Sequence, residues 1–134
     1  VKDVDFGYRQ ITIREGKGGK DRVTVLPDKV AVPLRNHLEK VEVLHRRDVE
    51  QGYGWVELPH ALDRKYPNAG RELGWQYLFP SRRRCVHPRT GEILRFHAHP
   101  STLQKAVKSA RRHAGIRKVA TCHSLRHSFA THLL

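Results

Sequence analysis

Apolar side chains recur at helical spacing in three parts of the chain, which predicts three helices. The first is predicted from Pro27-Asp28 to about Gln51 and the second from Pro100 to Gly115, because proline suits a first turn and glycine a stop. The third follows Thr121, a typical capping residue. The apolar positions are Leu34, Leu38, Val41 and Leu44 or His45 in the first helix, Leu103, Ala106, Val107, Ala110 and Ala114 in the second, and Leu125, Phe129 and Leu133 in the third.

Three short stretches near the N-terminus have the composition of strands. They are Val4 to Phe6, Gln10 to Arg14 and Arg22 to Leu26. Turn residues separate them, so they are predicted to form a small antiparallel sheet. Trp75 to Phe79 is a further short apolar segment, and Arg82 to Phe96 is predicted to be an irregular basic loop. No repeat or linker is visible, so residues 1–134 are predicted to form a single α+β domain, mainly helical, with one three-stranded antiparallel sheet.

Positive charge is concentrated in the C-terminal part of the chain. Residues 1–81 carry 14 Lys and Arg against 12 Asp and Glu, whereas residues 82–134 carry 12 against the single Glu92. The second segment therefore holds +11 of the formal net charge of +13. Clustered cations bind polyanions by neutralising phosphates and releasing counterions, which predicts a nucleic-acid partner. A membrane partner is disfavoured, because the basic helix lacks a large aromatic face and no apolar run is long enough to span a bilayer.

The cysteines and histidines do not indicate a metal site. Cys85 and Cys122 lie 37 residues apart, without a CxxC pair, so neither a disulfide framework nor a zinc knuckle is predicted. His123 and His127 have the i, i+4 spacing of a helical metal pair, but HSLRH lacks the glutamate of HExxH and Arg126 would repel a cation. We therefore expect no metal and no other cofactor, and a reduced, cytoplasmic compartment.

The helix after Thr121 carries His123 and Arg126 one turn apart near its start. An imidazole and a guanidinium fork at a helix N-terminus form a site for a phosphate whose charge grows during a reaction. The alternative is a solvated helix face that happens to carry both residues. The pair alone leaves both interpretations open.

Two motifs resemble those of tyrosine recombinases. The run His123 to Leu134, HSLRHSFATHLL, resembles the family's HxLRHxxAThL segment, and the run Glu15 to Arg22, EGKGGKDR, resembles its GKGxKxR hairpin. Between them, residues 55–72 are similar to the insertion peculiar to integron integrases, where a helix is expected around His60 to Tyr66 as a brace or a contact with a neighbouring protomer. The resemblance covers nearly the whole chain and implies the catalytic domain of a tyrosine recombinase.

The resemblance implies three catalytic residues. Lys17, at the tip of the hairpin, would reach the scissile phosphate and protonate the leaving 5′ oxygen, and the glycines beside it would allow positive φ and a close approach to DNA. Arg126 would hold the non-bridging oxygens of a pentacoordinate phosphate. His123 would assist proton transfer and phosphate binding. Such a mechanism requires no metal.

Further residues are candidates for contacts with nucleic acid. Lys20 and Arg22 would be phosphate contacts or ordinary surface charges beside the hairpin tip. Trp75, Pro88 and His97 are candidates for a pocket that stacks on an unpaired base, although Trp75 suits a core position equally well. The remaining candidates are Arg82, Arg83, Arg84, Lys105, Lys108 and Arg112.

Three parts of the family's catalytic set have no match in this sequence: an arginine upstream of Lys17, a further histidine or tryptophan, and a nucleophilic tyrosine downstream of Arg126. The tyrosines present are Tyr8, Tyr53, Tyr66 and Tyr77. All four precede the HxxR segment and match no nucleophile motif, so packing or surface roles are expected. Because the chain also lacks methionine and stops within an apolar helix, we interpret it as a fragment that cannot form a covalent phosphotyrosine intermediate by itself.

The resemblance also implies the partners of the parent protein. An integron integrase would recombine gene cassettes of mobile genetic elements, on a folded single-stranded site with flipped-out bases and on a duplex site. It would act as a tetramer on DNA, at the bacterial nucleoid. Two alternatives remain: a duplex-only recombinase of the chromosome-dimer or phage type, and a non-catalytic basic module that binds DNA or RNA. The insertion argues against the first, and the coincidence of two motifs against the second.

Overall fold

The computed structural model describes residues 1–16, 18–59 and 62–132. They form two compact units, residues 1–97 and residues from 98 onward. The first contains strands β1 (Val4–Asp5), β2 (Gln10–Ile13), β3 (Arg22–Val25), β4 (Cys85–Val86) and β5 (Ile93–Leu94), with helices α1 (Asp28–Glu50) and α2 (Leu62–Lys65). The second contains α3 (Pro100–His113) and α4 (Cys122–His132). The predicted α+β class is confirmed, and the single domain stays a prediction.

The predicted three-stranded antiparallel sheet is present, in the order β1-β2-β3. Ile11 of β2 is paired with Val4 of β1 on one side and with Thr24 of β3 on the other. The core beside the sheet consists of the buried Leu26, Ala31 and Leu34, with Val4, Phe6, Ile11 and Leu78 packed against them. The apolar face of α1 therefore meets the sheet, and the helix ends within one residue of its predicted end.

Gln76 joins the two ends of the segment at residues 55–72. Its buried side-chain amide donates to the carbonyl oxygens of Gly54, at 3.0 Å, and Gly70, at 2.9 Å. Among the described residues of the segment, the apolar side chains of Val56, Leu58 and Ala69 are buried. Of the helix expected around His60 to Tyr66, α2 is the described part, while residues 60 and 61 lie outside the described ranges. A buried amide and apolar packing thus hold the two ends of the segment.

The stretch from Arg82 to Phe96 contains a two-stranded hairpin, so the prediction of an irregular loop is wrong. β4 and β5 pair in antiparallel fashion. The side chain of His87 is buried in the turn, and its Nδ1 accepts the N–H groups of Arg89, at 3.3 Å, and Thr90, at 3.1 Å. Each strand has only two residues, which is too short for an alternating pattern, and a side chain rather than a glycine-rich turn sequence holds the loop.

The second unit has no buried side chain in its two described helices. α3 begins at Pro100 and ends before Gly115, as predicted. Leu103 is 62% exposed and Leu125 is 55% exposed. The apolar faces predicted from helical spacing are therefore largely open within the described residues, and Leu133 lies outside them.

Candidate phosphate site and nucleic-acid interface

Thr121 and Ser124 close the first turn of α4 with a reciprocal cap. The N–H of Ser124 donates to Oγ1 of Thr121 at 3.3 Å, and the N–H of Thr121 donates to Oγ of Ser124 at 3.2 Å. The predicted cap is thereby confirmed. His123 and Arg126 lie in the first two turns of the capped helix, both exposed, where the helix dipole adds a positive potential.

His123 and Arg126 line one cavity of about 650 Å³, together with Lys108 and Arg111 of α3. The other lining residues are Gln104, Val119, Ala120, Thr121 and Cys122. Residues 98–134 contain neither Asp nor Glu, so these cations have no carboxylate within their own unit. A cavity of this size that combines charged donors with an imidazole fits an anion with several acceptor oxygens, such as a phosphodiester.

His127 contacts the imidazole of His123. Their Nε2 atoms lie 2.8 Å apart and the rings are nearly perpendicular, at 89°. Because one nitrogen must donate and the other accept, the tautomer of each imidazole constrains the other. The i, i+4 spacing places the two imidazoles on one helix face, which allows this contact as well as the metal pair that the sequence disfavours. No group of three metal-ligating side chains occurs within the described residues.

The glycine-rich turn between β2 and β3 has the backbone that the hairpin motif requires. Gly18 and Gly19 have φ of 83° and 70°, a region that glycine adopts without steric cost. Asp21 braces the turn, because its Oδ1 accepts the N–H of Glu15 at 2.9 Å. Lys20 and Arg22, which were predicted as phosphate contacts or surface charges, are both exposed beside the turn. Lys17, the predicted proton donor, lies outside the described residues.

The three consecutive arginines before β4 have different surroundings. Arg82 and Arg83 are exposed. Arg84 is half-buried: its guanidinium carbon lies 4.0 Å from the centroid of the Tyr53 ring, and its Nη2 donates to Oε1 of Gln51 at 2.8 Å. Arg82 and Arg83 can thus meet a phosphate, whereas Arg84 is engaged by its own unit.

Arg95 holds the backbone from which these arginines project. Its Nη1 donates to the carbonyl oxygens of Ser81, at 2.8 Å, and Arg82, at 2.9 Å. Its Nε and Nη2 donate to the carboxylate of Asp48 at 2.6 Å and 2.9 Å. Asp48 is buried near the end of α1. The members of this pair are 47 residues apart, and no local pattern in the sequence predicts it.

Trp75 lines another cavity, of about 630 Å³, beside β1. The ammonium of Lys2 lies 4.3 Å from the centroid of its ring. Tyr77 lines the same cavity and contacts His97 edge to face, with centroids 5.4 Å apart. Pro88 is exposed on the turn between β4 and β5 and, like His97, is not among the residues that line this cavity. Of the three residues predicted to form one pocket, only Trp75 therefore lines this cavity, while His97 contacts another lining residue, Tyr77.

The tyrosines have surroundings that suit packing and surface roles. Tyr8 is 81% exposed, and Tyr66 is 49% exposed. Burial, and secondly the negative charge of Glu57, raise the pKa of Tyr77 above its ordinary value. A raised pKa disfavours the phenolate, which is the reactive form, so these surroundings do not activate Tyr77 as a nucleophile.

Comparison with known proteins decides the family. The phage integrase family profile matches residues 1–134, which is the whole chain. The chain belongs to the phage integrase family. Two proteins described as integrase/recombinase, from Escherichia coli and Pseudomonas aeruginosa, are each 46% identical to it over 134 residues, covering 100% of this chain and 40% of each relative. The tyrosine recombinase XerA of Pyrococcus furiosus is 30% identical over 134 residues, which cover 100% of this chain and 33% of XerA.

The chain spans about 40% of the length of the two integrase/recombinases. The family match extends over both units, including the motifs around Lys17 and His123. No described helix has both the length and the apolar character needed to cross a membrane.

The remaining basic candidates of this phage integrase family chain lie along α3. Lys105, Lys108 and Arg112 line a cavity of about 550 Å³, and Lys108 also lines the cavity of His123. Arg111, also on α3, is not among the site residues predicted from the sequence. Arg111 differs from Lys105 and Arg112 because it lines the cavity of His123. The spacing of basic residues along the helix does not reveal this difference.

Proposed function

We propose that this chain is the phosphate-binding part of a tyrosine recombinase that performs site-specific DNA recombination. The observation that carries the proposal is the acid-free cavity in which His123 and Arg126 lie beside Lys108 and Arg111. The family match and the relatives described as integrase/recombinase support it. The parent protein would cleave DNA through a 3′-phosphotyrosine intermediate, with a nucleophile outside residues 1–134.

Each catalytic residue would act on the scissile phosphate. Arg126 would bind both non-bridging oxygens with its fork and follow them into the pentacoordinate transition state. His123 would assist proton transfer, with its tautomer constrained by His127. Lys17 would protonate the leaving 5′ oxygen from the hairpin tip. This division of labour needs cationic and proton-donating side chains and no metal.

Cleavage by the full-length recombinase with Arg126→Lys tests the proposal. Lysine keeps the charge but loses the bidentate fork, so we expect cleavage to fall by about 10²–10³-fold, the typical cost of one transition-state donor. Arg46→Lys is the matched control, because Arg46 is exposed on α1 and forms a surface ion pair with Glu42, 3.6 Å away. Near-normal cleavage by Arg126→Lys of a nicked or bridging-sulfur substrate would contradict the assignment.

The isolated chain offers a complementary test. With its nucleophile outside residues 1–134, it should form no covalent adduct with a nicked DNA substrate, whereas the full-length recombinase should. A trapped adduct on any of the tyrosines in this chain, located by mass spectrometry, would refute this part of the proposal.

We propose further that the recombinase is of the integron type and acts on gene cassettes. The segment at residues 55–72, attached through Gln76 and buried apolar residues, supports this, because it resembles the integron insertion. Trp75, Pro88 and His97 would contact extrahelical bases, and stacking on one base contributes about 1–3 kcal/mol. The partners would be a folded single-stranded cassette site and a duplex site, bound by a tetramer of the parent protein.

A competition titration of the purified chain tests the integron proposal. One competitor is a DNA hairpin with extrahelical bases and the other is the same hairpin with those bases deleted, each at several salt concentrations. The chain should prefer the first, and Trp75→Ala should lower the ratio of the two affinities. Equal affinities that weaken together with salt would favour a duplex-only recombinase or a generic basic module.

A further inference from the structure

We infer that Lys108 and Arg111 form a second phosphate site, which binds a DNA phosphate neighbouring the one bound by His123 and Arg126. The two residues are three positions apart on α3, so they share one helix face, and both line the cavity of His123 and Arg126. The inference rests on the proposed function, because that function identifies the first phosphate.

Charge compensation is the first argument for a ligand at Arg111. Residues 98–134 contain seven Lys and Arg and no Asp or Glu. The Nε of Arg111 is buried and makes no hydrogen bond among the described residues. A buried guanidinium donor without an acceptor is costly, and an anion in the adjoining cavity would offset that cost. The wall of this cavity therefore favours an anionic ligand over a neutral one.

The second argument is the number of cationic groups in the cavity, which exceeds the number that one phosphate needs. A phosphodiester has two non-bridging oxygens, and the fork of Arg126 can bind both, with His123 beside it. Lys108 and Arg111 then bring two further cations to a cavity of about 650 Å³, a volume typical of sites that hold a whole small molecule rather than one ion. A strand of DNA provides a second phosphate next to the first, whereas a free anion would not.

The salt dependence of DNA binding measures how many DNA phosphates the whole chain neutralises. Each neutralised phosphate of duplex DNA contributes about 0.9 to the slope of log affinity against log salt. We expect the slope to fall by about 0.9 for the double variant Lys108→Gln/Arg111→Gln, by about 0.9 for Arg126→Gln, and by about 1.8 for all three changes together. The matched control is Arg46→Gln, which should leave the slope unchanged.

The combined variant decides between the two arrangements. If all four groups bind one phosphate, the triple variant will lose no more slope than Arg126→Gln alone, and that result overturns the inference. An unchanged slope for Lys108→Gln/Arg111→Gln also overturns it, while leaving the proposed function intact. An unchanged slope for Arg126→Gln, with a reduced slope for the double variant, supports the Lys108 and Arg111 site but contradicts the proposed function.

Charge-conserving substitutions separate loss of the site from loss of the fold. Lys108→Arg/Arg111→Lys keeps both charges and should keep the wild-type slope. Circular dichroism of every variant should show the same helix content as the wild type. A charge-conserving variant that loses slope while retaining its helices would overturn the inference, because point charges would then not explain the binding.

Discussion

The buried pair between Asp48 and Arg95 gives a prediction whose magnitude follows from the structure. The perturbation is Asp48→Ala, which removes the acceptor for two of the arginine's donors, at 2.6 Å and 2.9 Å. Arg95 would keep its bonds to the carbonyl oxygens of Ser81 and Arg82, but its charge would lose its carboxylate. We therefore expect the first unit to lose stability and the hairpin to loosen from α1.

Burial sets the size of the effect. The side chains of Asp48 and Arg95 are 6% and 11% exposed, so little water can replace the lost partner. Breaking a buried pair by removing one member costs about 3–5 kcal/mol. The Nε of Arg84 lies 3.8 Å from the same carboxylate, so a second guanidinium would lose its counter-charge. Because domains are stable by only about 5–15 kcal/mol, the loss would be a large part of the total.

Urea unfolding followed by tryptophan fluorescence measures this loss in the relevant unit, because both tryptophans, Trp55 and Trp75, lie in residues 1–97. Glu42→Ala is the matched control, since Glu42 is on the same helix and pairs with Arg46 at 3.6 Å on the surface. That exposed pair should contribute only about 0–1 kcal/mol. If Asp48→Ala costs no more than Glu42→Ala, the argument from burial is wrong.

Two further predictions concern packing and ionisation in the first unit. A Cβ on Gly70 would lie 2.7 Å from the carbonyl oxygen of Val56, so Gly70→Ala should cost about 1–3 kcal/mol in the same urea assay. Gly74→Ala, where the nearest atom would be 3.8 Å away, should be nearly neutral, and equal effects at both glycines would refute this explanation. Burial first and Glu57 second raise the pKa of Tyr77 above 10.0, so Tyr77→Phe should remove an absorbance titration step above pH 10.0 from the native protein. Because the unfolded chain ionises at lower pH, Tyr77 should also reduce stability as the pH rises through 10.0, and loss of a step at or below that pH would contradict the argument.

Local signals predicted most of the helices and the first sheet, because those elements depend on neighbouring residues. Helical spacing and Pro27 located α1, Pro100 and Gly115 bounded α3, and Thr121 marked the cap of α4. Glycines at positions 18 and 19 predicted the positive φ of the hairpin turn. In each case the physical cause lies within about five residues of the element itself.

The hairpin of β4 and β5 and the Asp48–Arg95 pair could not be predicted in this way. The strands are too short to show alternation, and the turn depends on the burial of His87. Nothing near Asp48 in the sequence distinguishes it from the exposed Glu42 and Glu50 of the same helix. The partner of a buried charge is set by tertiary packing over 47 residues, which no local pattern encodes.

The same limit applies to the charge pattern itself, because arginine serves different purposes in the two units. The excess counted from residue 82 includes Arg84, Arg89 and Arg95, whose guanidinium groups face carboxylates of the first unit. Substitution of Arg84 or Arg95, which face the buried Asp48, should therefore lower stability more than it lowers the salt dependence of DNA binding. Residues 98–134 contain no acids of their own, so within that unit no carboxylate competes with a phosphate for their cations, and Arg82 and Arg83 of the first unit are also exposed. Net charge indicates the class of partner, whereas the distribution of acids determines which cations can bind it.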